Sequence, residues 1–174
     1  MADDALTFLI DADHGQFYLQ DVEPYDAWMA AHAADPDLPP AGWTAEAVHV
    51  HRIGVEPHSI AVGTARDDLV EALIAVHASA PVVEPTAEHV VEADLAAPTG
   101  RLSVSSPGLD PEDGPSMTVP AGLWRARVSY VPSAPPGVET TGGPGDHFLY
   151  RLDLWPADRA RGLVVLKQGP DPWC

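Results

Sequence analysis

The sequence has no arginine or lysine before Arg52, although its first 51 residues contain ten acidic side chains. The whole chain of 174 residues has a formal net charge of −17, and fifteen of its 26 acids lie in residues 1–87, beside only two basic side chains. A surface of one sign repels nucleic acid and anionic membrane and attracts basic proteins. We therefore expect a basic protein as partner, and solubility or background composition as the alternative reasons for this charge.

Cysteine is nearly absent as well, since Cys174 is the single one and no disulfide can form within the chain. This composition fits a reducing compartment and predicts a cytoplasmic protein. The first residues include two aspartates and no basic segment, so we expect no signal peptide. No apolar run approaches the roughly 18 residues that a membrane span needs.

Nineteen prolines and fourteen glycines separate short segments rich in branched and aromatic residues. This spacing predicts about eight to ten short strands and one helix, Pro24–Ala34. The absence of regular strand–helix alternation favours an all-β fold, an antiparallel β-sandwich with jelly-roll or Greek-key-like connections. We expect one domain over residues 1–174, with a flexible Pro/Gly-rich loop at 133–145.

Local patterns predict several strand pairings. Leu6–Ala12 and Gln16–Asp21 flank a turn-like segment and predict a hairpin, and His89–Leu95 with Arg101–Ser105 predicts another pair. Asp67–His77 fits either a helix or a buried strand. In the strand at 123–131, Arg125 and Arg127 alternate with apolar residues. We expect both arginines to pair with acids on a neighbouring strand.

Two histidines form the clearest pattern typical of a metal site. Glu46–Val55 alternates as a strand, with a phase change near Arg52 that a bulge would absorb. His49 and His51 would then share one face, a spacing at which two imidazoles bind zinc or iron. The alternative is a pair of solvent-facing histidines opposite buried Val48 and Val50.

Signatures of catalysis are otherwise missing, because the sequence contains neither a nucleophile elbow nor a phosphate-binding loop. Asp11 and Asp13, next to His14, would suit acid–base chemistry or a hard cation, but ordinary turn chemistry and solvation explain them better. Most tryptophans are expected in the core, with Trp43 and Trp173 as candidates for an exposed contact. We expect no cofactor, and the balance is against an enzyme.

Several runs in order along the chain resemble the competence protein J family. They are His14-Gly15-Gln16-Phe17-Tyr18, Gly42-Trp43-Thr44-Ala45-Glu46-Ala47, Ser59-Ile60-Ala61-Val62, His89–Leu95, Thr99-Gly100-Arg101-Leu102-Ser103-Val104, Thr118-Val119-Pro120-Ala121-Gly122-Leu123-Trp124 and Tyr130-Val131-Pro132. The resemblance implies a small β-sandwich that inhibits a DNA-entry nuclease by binding it, and it implies loop plus strand at Asp67–His77. The chain differs from the family by additional residues at Asp21–Ala41, at Ser133–Gly145 and at its end.

These observations lead to a non-enzymatic binding protein, an inhibitor or immunity-like partner of a basic protein such as a nuclease. The predicted partner-binding residues are Asp11, Asp13, Asp21, Glu23, Asp26 and Trp43. The later acids Asp110, Glu112 and Asp113 are expected to matter less. The alternatives are a metal-dependent β-sandwich enzyme that uses His49 and His51, and a carbohydrate-binding module.

Overall fold

The computed structural model describes residues 4–33, 35–134 and 147–171, which form two β-sheets. Sheet A has six strands, in the spatial order β1 (Asp4–Asp11), β5 (Leu69–Val76), β10 (Phe148–Pro156), β9 (Gly122–Pro132), β6 (His89–Ala97) and β11 (Val164–Lys167). Sheet B has five, in the order β3 (Ile53–Glu56), β4 (Ser59–Gly63), β2 (Gln16–Asp21), β7 (Arg101–Ser105) and β8 (Ser116–Thr118). The all-β prediction is confirmed.

The sequence predicts antiparallel strand pairing, but one pair in the described residues is parallel. Strand β10 runs parallel to β5 and antiparallel to β9. Parallel neighbours need a long connection, and the chain supplies it because β6 to β9 lie between these two strands in sequence. Of the loop expected at 133–145, positions 135–145 lie outside the described residues.

Both sheets contribute side chains to one hydrophobic core. Phe17 and Leu19 of sheet B are fully buried, as are Tyr150 and Leu152 of sheet A. The rings of Phe17 and Tyr150 meet edge to face, with centroids 6.0 Å apart. A large apolar side chain buried in this way stabilises the fold by about 1.5–3 kcal/mol. The sandwich arrangement stays a prediction.

The two predicted strand pairs are wrong, because each connection crosses between sheets. Strand β1 pairs with β5 in sheet A, whereas β2 pairs with β4 and β7 in sheet B. The connection between β1 and β2 is a 3-10 turn, Asp13–Gly15. Strands β6 and β7 separate in the same way, at a turn in which Gly100 has a φ of 70°. Crossing lets consecutive strands bury their apolar faces in the shared core from the two sheets.

The described residues contain one α-helix, α1 (Val22–His32), which begins two residues before the predicted start. Asp67–His77 contains strand β5, so the helix alternative is wrong and the loop-plus-strand alternative is confirmed. Within the part of the chain that the structure describes, no helix has the length and apolar character needed to cross a membrane.

Candidate functional site

The face of sheet B that points away from the core is mostly polar, and most of its positions on the three central strands are buried. Because Phe17 and Leu19 enter the core, their neighbours along β2 point the other way. The strand register places further small side chains beside them. The outward positions on β2, β4 and β7 are Gln16, Tyr18, Gln20, Ser59, Ala61, Gly63, Ser103 and Ser105.

The predicted acids form two groups at opposite ends of β2. Asp11 and Asp13 precede the strand, Asp21 is its last residue, and Glu23 and Asp26 belong to α1. A six-residue strand separates its ends by about 17 Å. The fold therefore gathers the acids around one sheet face but does not join them into one cluster.

Asp21 differs from the other predicted acids because its side chain is fully buried. Its carboxylate accepts hydrogen bonds from the backbone N–H of Thr99 at 2.8 Å and of Gly100 at 3.2 Å, and from the hydroxyl of Thr99. Backbone and hydroxyl donors thus satisfy this carboxylate where the chain turns between β6 and β7. The structure gives Asp21 the role of a positioning residue for that turn.

Glu23 and Asp26 line a groove of about 610 Å³ between the start of α1 and strands β7 and β8. Both side chains are exposed, as are Glu112 and Arg101, which line the same groove. None of these four side chains forms an ion pair within the described residues. We call this feature the acidic groove: three exposed carboxylates and one guanidinium facing solvent.

Glu112 was expected to matter less than the early acids, and it lines the same groove as Glu23 and Asp26. The β7–β8 loop carries it to the wall of the acidic groove, opposite the first turn of α1. Sequence distance hid this contact, since Glu112 lies 86 residues after Asp26. The acidic Pro111-Glu112-Asp113 segment was the available signal.

Helix α1 lies over sheet B without a buried residue. Its firmest attachment is the Tyr25 hydroxyl, which donates a hydrogen bond to the Glu56 carboxylate at 2.8 Å. Burial and then this hydrogen bond raise the pKa of Tyr25, so the phenol stays protonated. Trp28 stacks on His32 with ring centroids 4.8 Å apart. The helix therefore presents a partly exposed aromatic row.

The second acidic group lies at the start of β2. Asp11 is exposed, and the Asp13 side chain is half-exposed with its carboxylate 3.9 Å from Nε2 of His14. The pKa of Tyr18 is raised by burial and then by the charges of Glu56 and Asp13. Asp13 thus contributes its field to the outward face of sheet B.

Trp43 is half-buried rather than an exposed anchor. Its indole N–H donates a hydrogen bond to the side-chain carbonyl of Gln16 at 2.6 Å, and its ring packs beside Gly54. The ring lines a small pocket of about 220 Å³ at the start of β2. Of the other tryptophans, Trp124 and Trp155 are buried, Trp28 is half-buried, and Trp173 lies outside the described residues.

The strand prediction for His49 and His51 is wrong. Residues Ala47–His51 form a π-helical turn, which ends at Arg52 with a left-handed φ of 59°, and Val50 is 40% exposed. His49 lies 2.9 Å from the Asp171 carboxylate, whereas His51 lies 3.6 Å from Glu46. In the described ranges, no three metal-ligating side chains come together.

The face of sheet A that points away from the core carries a network of paired charges. Arg125 contacts Glu92 at 3.1 Å and Asp94 at 2.9 Å, as predicted for a neighbouring strand, and Arg127 contacts Glu92 at 2.8 Å. Farther along, Asp153 accepts from Arg151 at 2.9 Å and lies 2.7 Å from His77. We call these residues the paired network: Arg125, Arg127, Arg151, Glu92, Asp94, Asp153 and His77. Its three arginines are occupied by acids of strands β6 and β10, not by the early acids.

Two solved structures share this fold. The crystal structure of ComJ from Bacillus subtilis, described as an inhibitor of the DNA-degrading activity of NucA, has a TM-score of 0.58, is 16% identical, and covers 88% of this chain and 96% of its own. The structure described as Crocagin biosynthetic gene J has a TM-score of 0.55, is 18% identical, and covers 91% of this chain and 100% of its own. No family model and no curated protein matches the chain. The resemblance to competence protein J is therefore confirmed as a likeness of fold.

Proposed function

We propose that this chain is a binding protein that inhibits a basic partner, such as a nuclease, through the acidic groove beside sheet B. The observation that carries the proposal is the contrast in charge pairing. The exposed carboxylates of Glu23, Asp26 and Glu112 are unpaired within the described residues, while the arginines of sheet A are already occupied. The shared fold with a nuclease inhibitor supports the same direction.

The likeness to the two solved structures does not by itself determine the function. One is described as an inhibitor of a DNA-degrading activity and the other as a biosynthetic gene product. One fold supports several functions, so the choice depends on the surface. The net charge of −17 and the acidic groove favour a basic protein as ligand.

The proposed mechanism is occupation of a phosphate-binding cleft by carboxylates. A nuclease holds the nucleic-acid backbone with basic side chains, and Glu23, Asp26 and Glu112 would take the place of the phosphates. Charge of this kind mainly raises the association rate, whereas buried contacts slow dissociation. Asp21 would act indirectly by holding the turn at Thr99 that forms one wall of the groove.

The proposal treats residues 1–174 as one domain whose two sheets pack as a sandwich. The shared core, with Phe17 of sheet B against Tyr150 of sheet A, supports this arrangement. Packed in this way, the outward face of sheet B lies on the side opposite the paired network. The partner would then meet one face of the molecule only.

Capture and inhibition test the proposal. The tagged chain is mixed with extract of its native cells at low salt, retained proteins are identified by mass spectrometry, and each is purified and assayed for DNA degradation. We expect a basic nuclease that loses activity at one equivalent of the chain. Retained proteins that are not basic, or a nuclease that keeps full activity with excess chain, would contradict the proposal.

Association kinetics then test which surface is used. The groove variant carries Glu23→Gln, Asp26→Asn and Glu112→Gln, and the control variant carries Glu71→Gln, Glu88→Gln and Asp158→Asn. Both remove three negative charges. At low salt we expect the groove variant to associate roughly tenfold more slowly than the control. At about 0.5 M salt, where screening shortens the field to a few ångströms, the difference should vanish.

A further inference from the structure

The small pocket beside Trp43 has an aromatic wall and an open, partly apolar lining. It encloses about 220 Å³ and is lined by His14, Gly15, Gln16, Trp43, Val48 and Gly63. The indole N–H of Trp43 is already bonded to Gln16, which fixes the orientation of the ring. Its π face is therefore a preorganised surface rather than a side chain free to insert into a partner.

Unfavourable backbone conformations concentrate around this pocket. His14 has a φ of 56° and lines the pocket, and Ala41, two residues before Trp43, has a φ of 48°. Arg52, with a φ of 59°, accepts the backbone N–H of Gly63. Such residues cost of order 1–3 kcal/mol each and cluster at binding sites.

A negative charge near the pocket favours a positively charged ligand. The half-exposed carboxylate of Asp13 lies 3.9 Å from Nε2 of His14, which lines the pocket. A ligand that fits both features has an apolar stem, a flat π-stacking end and a positive charge. An arginine side chain has these properties, because its guanidinium stacks on aromatic faces and pairs with carboxylates.

We propose that this pocket receives an arginine side chain of the basic partner, with the guanidinium on the face of Trp43 and near the Asp13 carboxylate. The inference rests on the proposed function, and it adds a specific anchor at the end of β2 opposite the acidic groove. Trp43 thus acts as the receiving wall of the contact.

Nuclear magnetic resonance of the full chain tests the pocket without the partner. The probe is N-acetyl-arginine amide, and the signal is the indole N–H of Trp43, assigned by its loss in Trp43→Phe. We expect a saturable shift with a dissociation constant of roughly 1–10 mM, as befits a ligand of this size. N-acetyl-citrulline amide, which has a similar shape without the charge, should bind at least about fivefold more weakly. Equal shifts with both probes, or no shift with arginine, would overturn the inference.

A plug variant supplies the matched control. Val48→Phe fills the pocket without changing charge, and Val164→Phe makes the same change on exposed β11, away from the pocket. The plug should abolish the arginine-dependent shift, and the control should keep it. A plug variant that still shifts with the wild-type dissociation constant would place the probe elsewhere and contradict the proposal.

The captured partner separates this inference from the proposed function. If the plug variant dissociates from the basic partner about tenfold faster than the Val164→Phe variant, the pocket is part of the interface. If both dissociate at the wild-type rate, the pocket inference fails while inhibition stands. If the arginine probe binds but no basic partner is found, the proposed function fails while the pocket remains an arginine site.

Discussion

The arginines on the outward face of sheet A are paired with acids, whereas the charged side chains of the acidic groove beside sheet B are unpaired within the described residues. On sheet A, Arg125 and Arg127 are buried and bonded to Glu92 on the adjacent strand. Around sheet B, the carboxylates of Glu23 and Asp26 are exposed and make no ion pair within the described residues. Charges on the first face are part of the folded structure, and those on the second are available to a partner. The same residue types are therefore paired on one face and unpaired on the other, and we propose that the unpaired ones serve recognition.

The largest expected effect is the loss of a buried arginine from the paired network. Arg125→Met leaves the carboxylates of Glu92 and Asp94 partly buried without their partner, which costs about 3–5 kcal/mol. Urea denaturation measures this change. The control Arg101→Met removes the exposed guanidinium of the acidic groove and should change the free energy of unfolding by less than about 0.5 kcal/mol. Equal losses of stability in the two variants would contradict the difference between the paired charges of sheet A and the exposed charges of the acidic groove.

A smaller loss is expected from Asp21→Asn. The amide oxygen can still accept from the backbone N–H groups of Thr99 and Gly100, but the amide N–H replaces the oxygen that accepted from the Thr99 hydroxyl, and the charge that strengthened all three bonds is lost. We therefore expect a loss of roughly 2 kcal/mol of stability. Glu23→Gln, two residues away and exposed, is the matched control and should be neutral. Urea denaturation of the two variants gives the answer. A neutral Asp21→Asn would show that the carboxylate of Asp21 does not stabilise the turn at Thr99.

Alternation along strands predicted the acidic pairing of Arg125 and Arg127, but the sheet to which each strand belongs was not readable from the sequence. Arg125 and Arg127 point away from the core because Trp124 and Ala126 point into it, and their acidic partners follow from antiparallel pairing. The hairpin of β1 and β2 failed because local turn chemistry does not record which sheet a strand joins. That choice depends on contacts with β5 and β7, which lie far along the chain.

The candidate surface was partly predictable for the same reason. The one-signed field of the early residues is a property of composition, and it identified Glu23 and Asp26. The π-helical turn at His51 escaped prediction because its carbonyl is held by the ring of His89, 38 residues away. Glu112 was missed because the loop that carries it folds back toward α1.

A buried histidine, His89, makes the free energy of unfolding depend on pH. His89 donates from Nε2 to the His51 carbonyl and accepts the N–H of Gly169 at Nδ1, so only the neutral ring fits. Burial is the main cause that lowers its pKa to about 4. The unfolded chain takes up this proton near pH 6.5, so the stability that His89 contributes is complete above that pH and is lost as the pH falls toward 4.

Between pH 7 and pH 5 this proton accounts for a loss of about 2 kcal/mol. His89→Gln lacks the titration, so its free energy of unfolding should fall less over the same interval. Denaturation curves at both pH values measure the difference, and the exposed histidines are common to both proteins. An equal decrease in wild type and variant would show that His89 is accessible to protons in the folded state.

The smallest expected effect on stability belongs to the groove variant itself. Removing the charges of Glu23, Asp26 and Glu112 breaks no ion pair, and it relieves repulsion among neighbouring carboxylates. We expect the free energy of unfolding to change by less than about 0.5 kcal/mol or to rise slightly. Thermal denaturation at low salt measures it. A loss above about 1 kcal/mol would mean that these acids hold the fold together.

The most direct measurement compares the two faces in the unmodified chain. Paramagnetic relaxation of amide protons is recorded with a cationic and with a neutral nitroxide of the same size at low salt. We predict that the cationic probe enriches around residues 22–26 and 112–116 relative to residues 91–94 and 125–128. Enrichment of the same size on both faces, or at the paired network alone, would contradict an available acidic surface around sheet B.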